Sequence, residues 1–184
     1  MITISLFDKS NPQYIEEAAA LLTKAFPHAW GPDEALEEIK ECLENEKIAL
    51  MAVQDGHLIG FIGAAPSYDY AWELHPLVVG EQFRCQGVGS RLIEALEKEC
   101  ANRGVLTIYL GADDEFGETS LGNTDLYVDT YEKMENIENI KRHPFAFYQK
   151  KGYKIVGVIP DANGMGKPDI IMAKRLALRQ SEGR

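Results

Sequence analysis

The chain is short of the features that define several large protein classes. None of its apolar runs approaches the roughly 18 residues of a membrane-spanning helix. Its start, Met1-Ile-Thr-Ile-Ser-Leu-Phe-Asp8, has no basic segment leading into a long apolar stretch, so no signal peptide is expected. The three cysteines, Cys42, Cys85 and Cys100, show no C-x-x-C spacing, which suggests free thiols in a reducing cytosol rather than a disulfide frame. The four histidines lack ligand spacing, so no metal is expected. Positive charge is scarce, with 19 Lys and Arg against 29 Asp and Glu and a net charge of −10 at pH 7. A phosphate polymer would be repelled, which argues against nucleic acid as a partner. Cationic partners are favoured by steering, although acidity also serves simply to keep a cytosolic protein soluble. Repeats, low-complexity tracts and linkers are all missing, so one domain over 1–178 with a frayed tail over 179–184 is expected.

What is present reads as alternating strands and helices. Ile2 to Phe7 is a β-branched and aromatic run, and Asn11-Pro12 opens a helix carrying Ile15, Ala18, Leu21, Leu22 and Ala25 at helical spacing. A break at Phe26–Pro32 precedes a second amphipathic helix over 33–43. Ile48–Gln54 and Leu58–Ala64 read as strands joined by Asp55-Gly56, a two-residue hairpin signal. Trp72–Val79 is the next strand, 90–102 a helix, 106–111 a strand, 126–140 a partly helical stretch and 143–151 a short helix. Strands over 153–159 and 170–173 close the chain. This order predicts an α/β fold whose mixed, mostly antiparallel sheet has six to seven strands, with helices on both faces.

The most informative segment is 72–90. Within it, Arg84-x-x-Gly87-x-Gly89 lies between a strand and a helix. Two glycines so spaced allow a tight turn and bring backbone N–H groups close to a ligand, and a helix N-terminus adds positive potential there. The glycines alone fit a plain strand–turn–helix connection as well as a pyrophosphate cradle, and the third glycine of a dinucleotide fingerprint is replaced by Leu92. On the preceding strand, Glu73, His75, Leu77 and Val79 alternate with Trp72, Leu74, Pro76 and Val78. Pro76 donates no ladder hydrogen bond, so a bulge or splay is expected at Pro76–Leu77, freeing backbone of Leu77 and Val79 for an extended ligand.

The loop and the Pro-interrupted strand together resemble the GCN5-related N-acetyltransferase (GNAT) family. That resemblance implies acetyl-CoA as acetyl donor, its pantetheine arm held at a splay between the fourth and fifth strands by Leu77, Val78 and Val79. Its pyrophosphate would then be held by Arg84, Gln86, Gly87, Val88, Gly89 and Ser90. The blocks Phe61-Ile-Gly-Ala64, Trp72-Glu-Leu-His-Pro-Leu-Val-Val79, Thr107-Ile-Tyr-Leu-Gly111, Thr124-Asp-Leu-Tyr127, Gly152–Val158 and Asn163-Gly-x-x-Lys167-Pro-Asp169 are similar to chromosomal Gram-positive aminoglycoside 6′-N-acetyltransferases. This closer likeness implies the 6′-amine of an aminoglycoside as acceptor, antibiotic resistance as outcome, and a homodimer; the cysteine pattern gives the cytoplasm as the expected location.

Amide formation from an amine requires a base for the ammonium proton, a donor for the developing oxyanion, and a proton for the leaving thiolate. Glu73 is the candidate base, with His75 as second choice or orienter and a backbone N–H of the strand, such as that of Val79, as oxyanion donor. The resemblance assigns the acid to Tyr148. Cys85 has no neighbouring histidine in sequence and is read as incidental. Trp72 and the acidic run Asp113-Asp114-Glu115 are the candidate acceptor-binding residues, with Trp30 and Tyr68 as further sugar-facing surface. The acidic run and the Phe26–Trp30 segment depart from the expected family pattern. Acetyl transfer to a polyamine, peptide or basic protein, or CoA binding without turnover, are the competing readings.

Overall fold

The computed structural model describes residues 1–176; the tail expected over 179–184 lies outside the described residues. The chain divides into two compact units, Met1–Ile108 with Leu176, and Tyr109–Arg175.

The first unit holds β1 (Thr3–Leu6), α1 (Pro12–Ala25), α2 (Pro32–Cys42), β2 (Ile48–Gln54), β3 (His57–Pro66), β4 (Ala71–Val79) and α3 (Val88–Asn102). Its strands pair antiparallel in the order β1-β2-β3-β4. Helix α1 begins where the sequence indicates: Pro12 occupies the first turn and the Asn11 side chain accepts a hydrogen bond from the Gln13 N–H at 3.1 Å. Such a cap is worth about 1 kcal/mol. The β2–β3 turn is the expected two-residue loop, Gln54 pairing with His57 while Asp55 and Gly56 adopt φ of 53° and 82°. Positive φ at both positions matches the twist of the flanking strands.

Side-chain alternation divides the apolar residues of this unit between two faces. Ala49 and Met51 of β2, with Leu58 and Phe61 of β3, pack with Ala18, Ala19 and Leu22 of α1 and Ala35 and Ile39 of α2. Ile48, Leu50 and Ala52, the alternate residues of β2, are equally buried. Helix α3 packs on β2, β3 and β4 and buries Leu92, Ile93, Leu96 and Cys100. Each fully buried Leu or Ile contributes about 1.5–3 kcal/mol of transfer free energy, so this layering stabilises the strand that carries the site.

The second unit holds most of β5 (Thr107–Asp113), then α4 (Thr130–Glu135), α5 (Phe145–Lys150), β6 (Lys154–Ile159) and β7 (Asp169–Arg175), its strands ordered β5-β7-β6. The stretch expected to be helical over 126–140 contains only the six-residue α4. Side chains compete there for the backbone: Thr130 donates to the Leu126 carbonyl, and the Lys133 ammonium donates to the carbonyls of Asp125 and Val128. Polar side chains that satisfy local backbone groups in this way favour turns over a continued helix.

Candidate active site

Strand β4 shows the expected alternation. Trp72, Leu74, Pro76 and Val78 are buried, while Glu73, Leu77 and Val79 are half-buried and His75 is exposed. The ladder with β3 is interrupted where the imino acid predicts. Ile62 pairs with Leu77 and Ala64 with Leu74, so Gly63 alone faces His75 and Pro76 in a β-bulge. The His75–Pro76 peptide is cis. Leu77, Val78 and Val79 stay in register with Ile62, Phe61 and Gly60.

Glu73 and His75 open into a pocket of about 220 Å³ with Ala64 and Ala65 of β3, Glu38, Glu41 and Cys42 of α2, and Lys47. The His75 Nε2 atom lies 3.6 Å from Glu38 Oε1, and its ring sits against Trp30 with centroids 5.8 Å apart. Trp30 is itself held edge-on by Phe26 at 5.4 Å. The same Glu38 oxygen accepts from the Cys42 thiol at 3.4 Å. Burial, and then the charge and hydrogen bonding of Glu38, push the Cys42 thiol up, so it stays protonated and is no nucleophile at neutral pH. Lys47 sits 3.0 Å from Glu41 and 3.3 Å from Glu44. Burial disfavours its charge, but the bonds from Glu41 and Glu44 outweigh that and hold its ammonium pKa above the ordinary lysine range. Three carboxylates (Glu38, Glu41, Glu73) with one lysine make a lining that attracts cations.

Beyond β4, a short 3-10 turn, Glu81–Phe83, leads into the glycine loop. Arg84 Nε donates to the Val79 carbonyl at 3.2 Å and Gln86 Nε2 to the Gln82 carbonyl at 2.7 Å, tying the loop to the strand end. Cys85 is exposed with φ 59°. Gly87 is the N-cap of α3 in the left-handed region, φ 82° and ψ 0°, with no side-chain cap. The helix therefore starts at Val88, two residues before the expected Ser90. The first N–H groups of a helix have no intrahelical partner, so those of Val88, Gly89 and Ser90 converge at its positive end. Arg91 N–H, donating to the Gly87 carbonyl at 3.0 Å, makes the first intrahelical bond. This is a fit for a pyrophosphate, supplied by backbone alone.

Two expected acceptor-binding residues point elsewhere. Trp72 is buried on the face of β4 opposite Glu73 and His75, with the Arg103 guanidinium 5.8 Å from its ring centroid, so it does not line the pocket. Asp114 has no exposed surface; its carboxylate accepts from the Glu118 N–H (2.6 Å), the Thr119 N–H (2.9 Å) and the Thr119 hydroxyl (2.7 Å). Burial alone would raise its pKa, but those donors outweigh it and hold the carboxyl below the ordinary aspartate range. It organises the loop after β5. Its neighbours differ: Asp113 is exposed and accepts from Asn163 Nδ2, and Glu115 is half-buried. Of the further aromatic candidates, Trp30 borders the pocket through His75, while Tyr68 lies outside it, on the β3–β4 connection.

In the second unit, Tyr148 stands on α5, its ring 5.3 Å from Phe147 and 5.7 Å from Tyr153. Burial pushes its phenol up to about 12, so it keeps its proton throughout the neutral range. Nearby His143 is structural: its Nδ1 accepts from the Phe145 N–H at 3.2 Å, which makes Nε2, 3.0 Å from the Asp113 carbonyl, the donor. Among the described residues, no group of three His, Cys, Asp or Glu side chains could hold a metal, and no helix is long and apolar enough to cross a membrane.

The pocket residue that sequence reasoning passed over is Glu38. The signal was the acidic face of α2, where Glu34, Glu38 and Glu41 recur at helical spacing. Such a face is normally just solvated, and only the packing of α2 beside β3 brings it to His75.

The sequence model of the acetyltransferase (GNAT) family matches residues 15–128. A crystal structure of an aminoglycoside 6′-N-acetyltransferase complexed with coenzyme A is 48% identical over 97% of this chain and 99% of that one, with a TM-score of 0.94. The aminoglycoside 6′-N-acetyltransferase from Enterococcus faecium is 49% identical over 97% and 99%, with a TM-score of 0.91. A type Ii aminoglycoside 6′-acetyltransferase is 43% identical over 96% and 99%, with a TM-score of 0.77. Comparison with curated proteins gave no significant match. These structural likenesses bear out the expected fold class, a mixed sheet of seven strands with helices.

Proposed function

Because the chain belongs to the GNAT acetyltransferase family, we propose that it moves the acetyl group of acetyl-CoA to the 6′-amine of aminoglycosides. One observation carries this reading: near-half identity to an aminoglycoside 6′-N-acetyltransferase with coenzyme A, along almost the full length of both chains. The acidic pocket around Glu73 and His75 supports it, because aminoglycosides are polycations.

In the proposed chemistry, Glu73 takes a proton from the 6′-ammonium, directly or through water. The freed amine attacks the thioester carbonyl, a β4 backbone N–H such as that of Val79 stabilises the oxyanion, and the C–S bond breaks as the nitrogen releases its second proton to water. Tyr148, which burial keeps protonated throughout the neutral range, gives its proton to the departing thiolate and is reprotonated from solvent. The backbone of Leu77, Val78 and Val79 would hold the pantetheine arm. The first turn of α3 after Gly87 would hold the pyrophosphate, as its uncapped N-terminus supports, with Arg84 and Gln86 fixing the loop. Asp113 and Glu115 are the carboxylates of the β5 loop proposed to meet the acceptor.

Drug resistance, a cytoplasmic location and a homodimer belong to the same proposal. The test is acetyl-CoA turnover with kanamycin-type drugs, followed by thiol release, with NMR locating the acetyl group. Acetylation at the 6′-nitrogen is the expected result. Faster turnover of polyamines or basic peptides would move the acceptor to that class, and CoA binding with no thiol release from any amine would make the chain a sensor. Sedimentation velocity reads the dimer.

A further inference from the structure

His75 stands on the bulged part of β4, where ordinary sheet support is missing. Its partner across the ladder is Gly63, which has no side chain to pack against the imidazole. The ring contacts come instead from the segment between β1 and β2: Glu38 Oε1 at 3.6 Å from Nε2, and the Trp30 ring at 5.8 Å between centroids. Glu38 is only one-fifth exposed, whereas the His75 side chain is about half exposed. The better-buried carboxylate is the fixed partner, and the imidazole is the group that needs fixing. The Cys42 thiol donates to the same Glu38 oxygen one turn along α2, which restrains the carboxylate in turn.

From this arrangement we propose that Glu38 is a positioning residue for the transfer reaction, holding His75 beside Glu73. The inference rests on the acetyltransferase reading but adds a residue outside β4. The other charged groups facing this pocket are Glu41 and Lys47, already paired to each other at 3.0 Å, and Glu73. Glu38 brings a carboxylate oxygen to 3.6 Å from Nε2. That separation is beyond direct hydrogen-bond length, with the imidazole lying against the Trp30 ring.

A double-mutant cycle tests the assignment. Glu38→Gln is expected to lower kcat about tenfold, with acetyl-CoA KM unchanged and Glu38→Asp recovering part of the loss. In a His75→Asn background the same substitution is expected to have no further effect. Equal losses in both backgrounds would mean that Glu38 meets the acceptor directly, and an unchanged kcat would mean that it does nothing; either overturns the proposal. If the wild-type protein turns over no amine, the functional reading fails first. The positioning claim is then read from the His75 imidazole proton resonances, which are expected to move or broaden in Glu38→Gln. Unchanged resonances there would overturn it independently.

Discussion

Gly63 lies so close to His75 across the β3–β4 ladder that a β-carbon on the glycine would stand 2.5 Å from the His75 carbonyl oxygen. The contact is backbone against backbone, so no side-chain rotation relieves it. It ties a small residue of β3 to the bulge that presents His75. Gly63→Ala is expected to push β4 outward, lower stability by about 1–3 kcal/mol and reduce kcat together. Thermal unfolding and single-turnover acetyl transfer measure the two effects; a fully active, equally stable variant would show that the bulge tolerates displacement.

Asp114 gives a pH-dependent prediction. Its folded pKa is depressed, first against the opposing effect of burial and then through donors from Glu118 and Thr119. A depressed carboxylate contributes stability that is present above its ordinary pKa of about 3.9 and lost as pH falls through the lower folded value. Asp114→Asn is therefore expected to cost about 1–3 kcal/mol at pH 7, the gap from wild type narrowing in acid. Urea unfolding at a series of pH values reads this. Acceptor KM is expected to stay put, which separates a loop-organising carboxylate from an acceptor-binding one.

Much of this architecture is written in local chemistry. Asn11-Pro12 marks a helix start, Asp55-Gly56 sets a two-residue turn and its register, and Pro76 marks the break in a ladder; each acts within a few residues. Distant contacts decide the rest. Trp72 and Asp114 are residue types that often bind ligands, but one packs under Arg103 and the other is consumed by Thr119 and Glu118. Glu38 is 37 positions before His75, and no periodicity in α2 distinguishes a pocket carboxylate from a solvated one. Helix α3 starts two residues ahead of Ser90 because Gly87 caps it by conformation alone, without the Ser, Thr, Asp or Asn that signals a helix start.

Gly87 bears directly on donor binding. Its φ of 82° lies where a side chain is strained, although a β-carbon there would meet nothing within 4 Å. The effect of Gly87→Ala is thus conformational, about 1–2 kcal/mol for a left-handed residue. Relief of that strain would move the amides of Val88, Gly89 and Ser90. Acetyl-CoA affinity is expected to fall about tenfold, with acceptor KM nearly unchanged. Calorimetric titration with acetyl-CoA checks this, and intact affinity would remove the phosphate-cradle reading of the loop.

Tyr148 provides the test of proton delivery. Burial raises its pKa to about 12, so the phenol remains the acid form well past the pH at which an ordinary tyrosine ionises. If it protonates the thiolate, no alkaline loss of kcat assignable to this residue should appear below about pH 10. Tyr148→Phe is expected to lower kcat by about 10- to 100-fold while acetyl-CoA affinity changes little, because the ring and its contacts with Phe147 and Tyr153 remain. The phenylalanine variant should also recover with a thioester whose thiol is a better leaving group, since that substrate needs less protonation. An equal deficit with both thioesters would leave Tyr148 a packing residue and assign thiolate protonation to water.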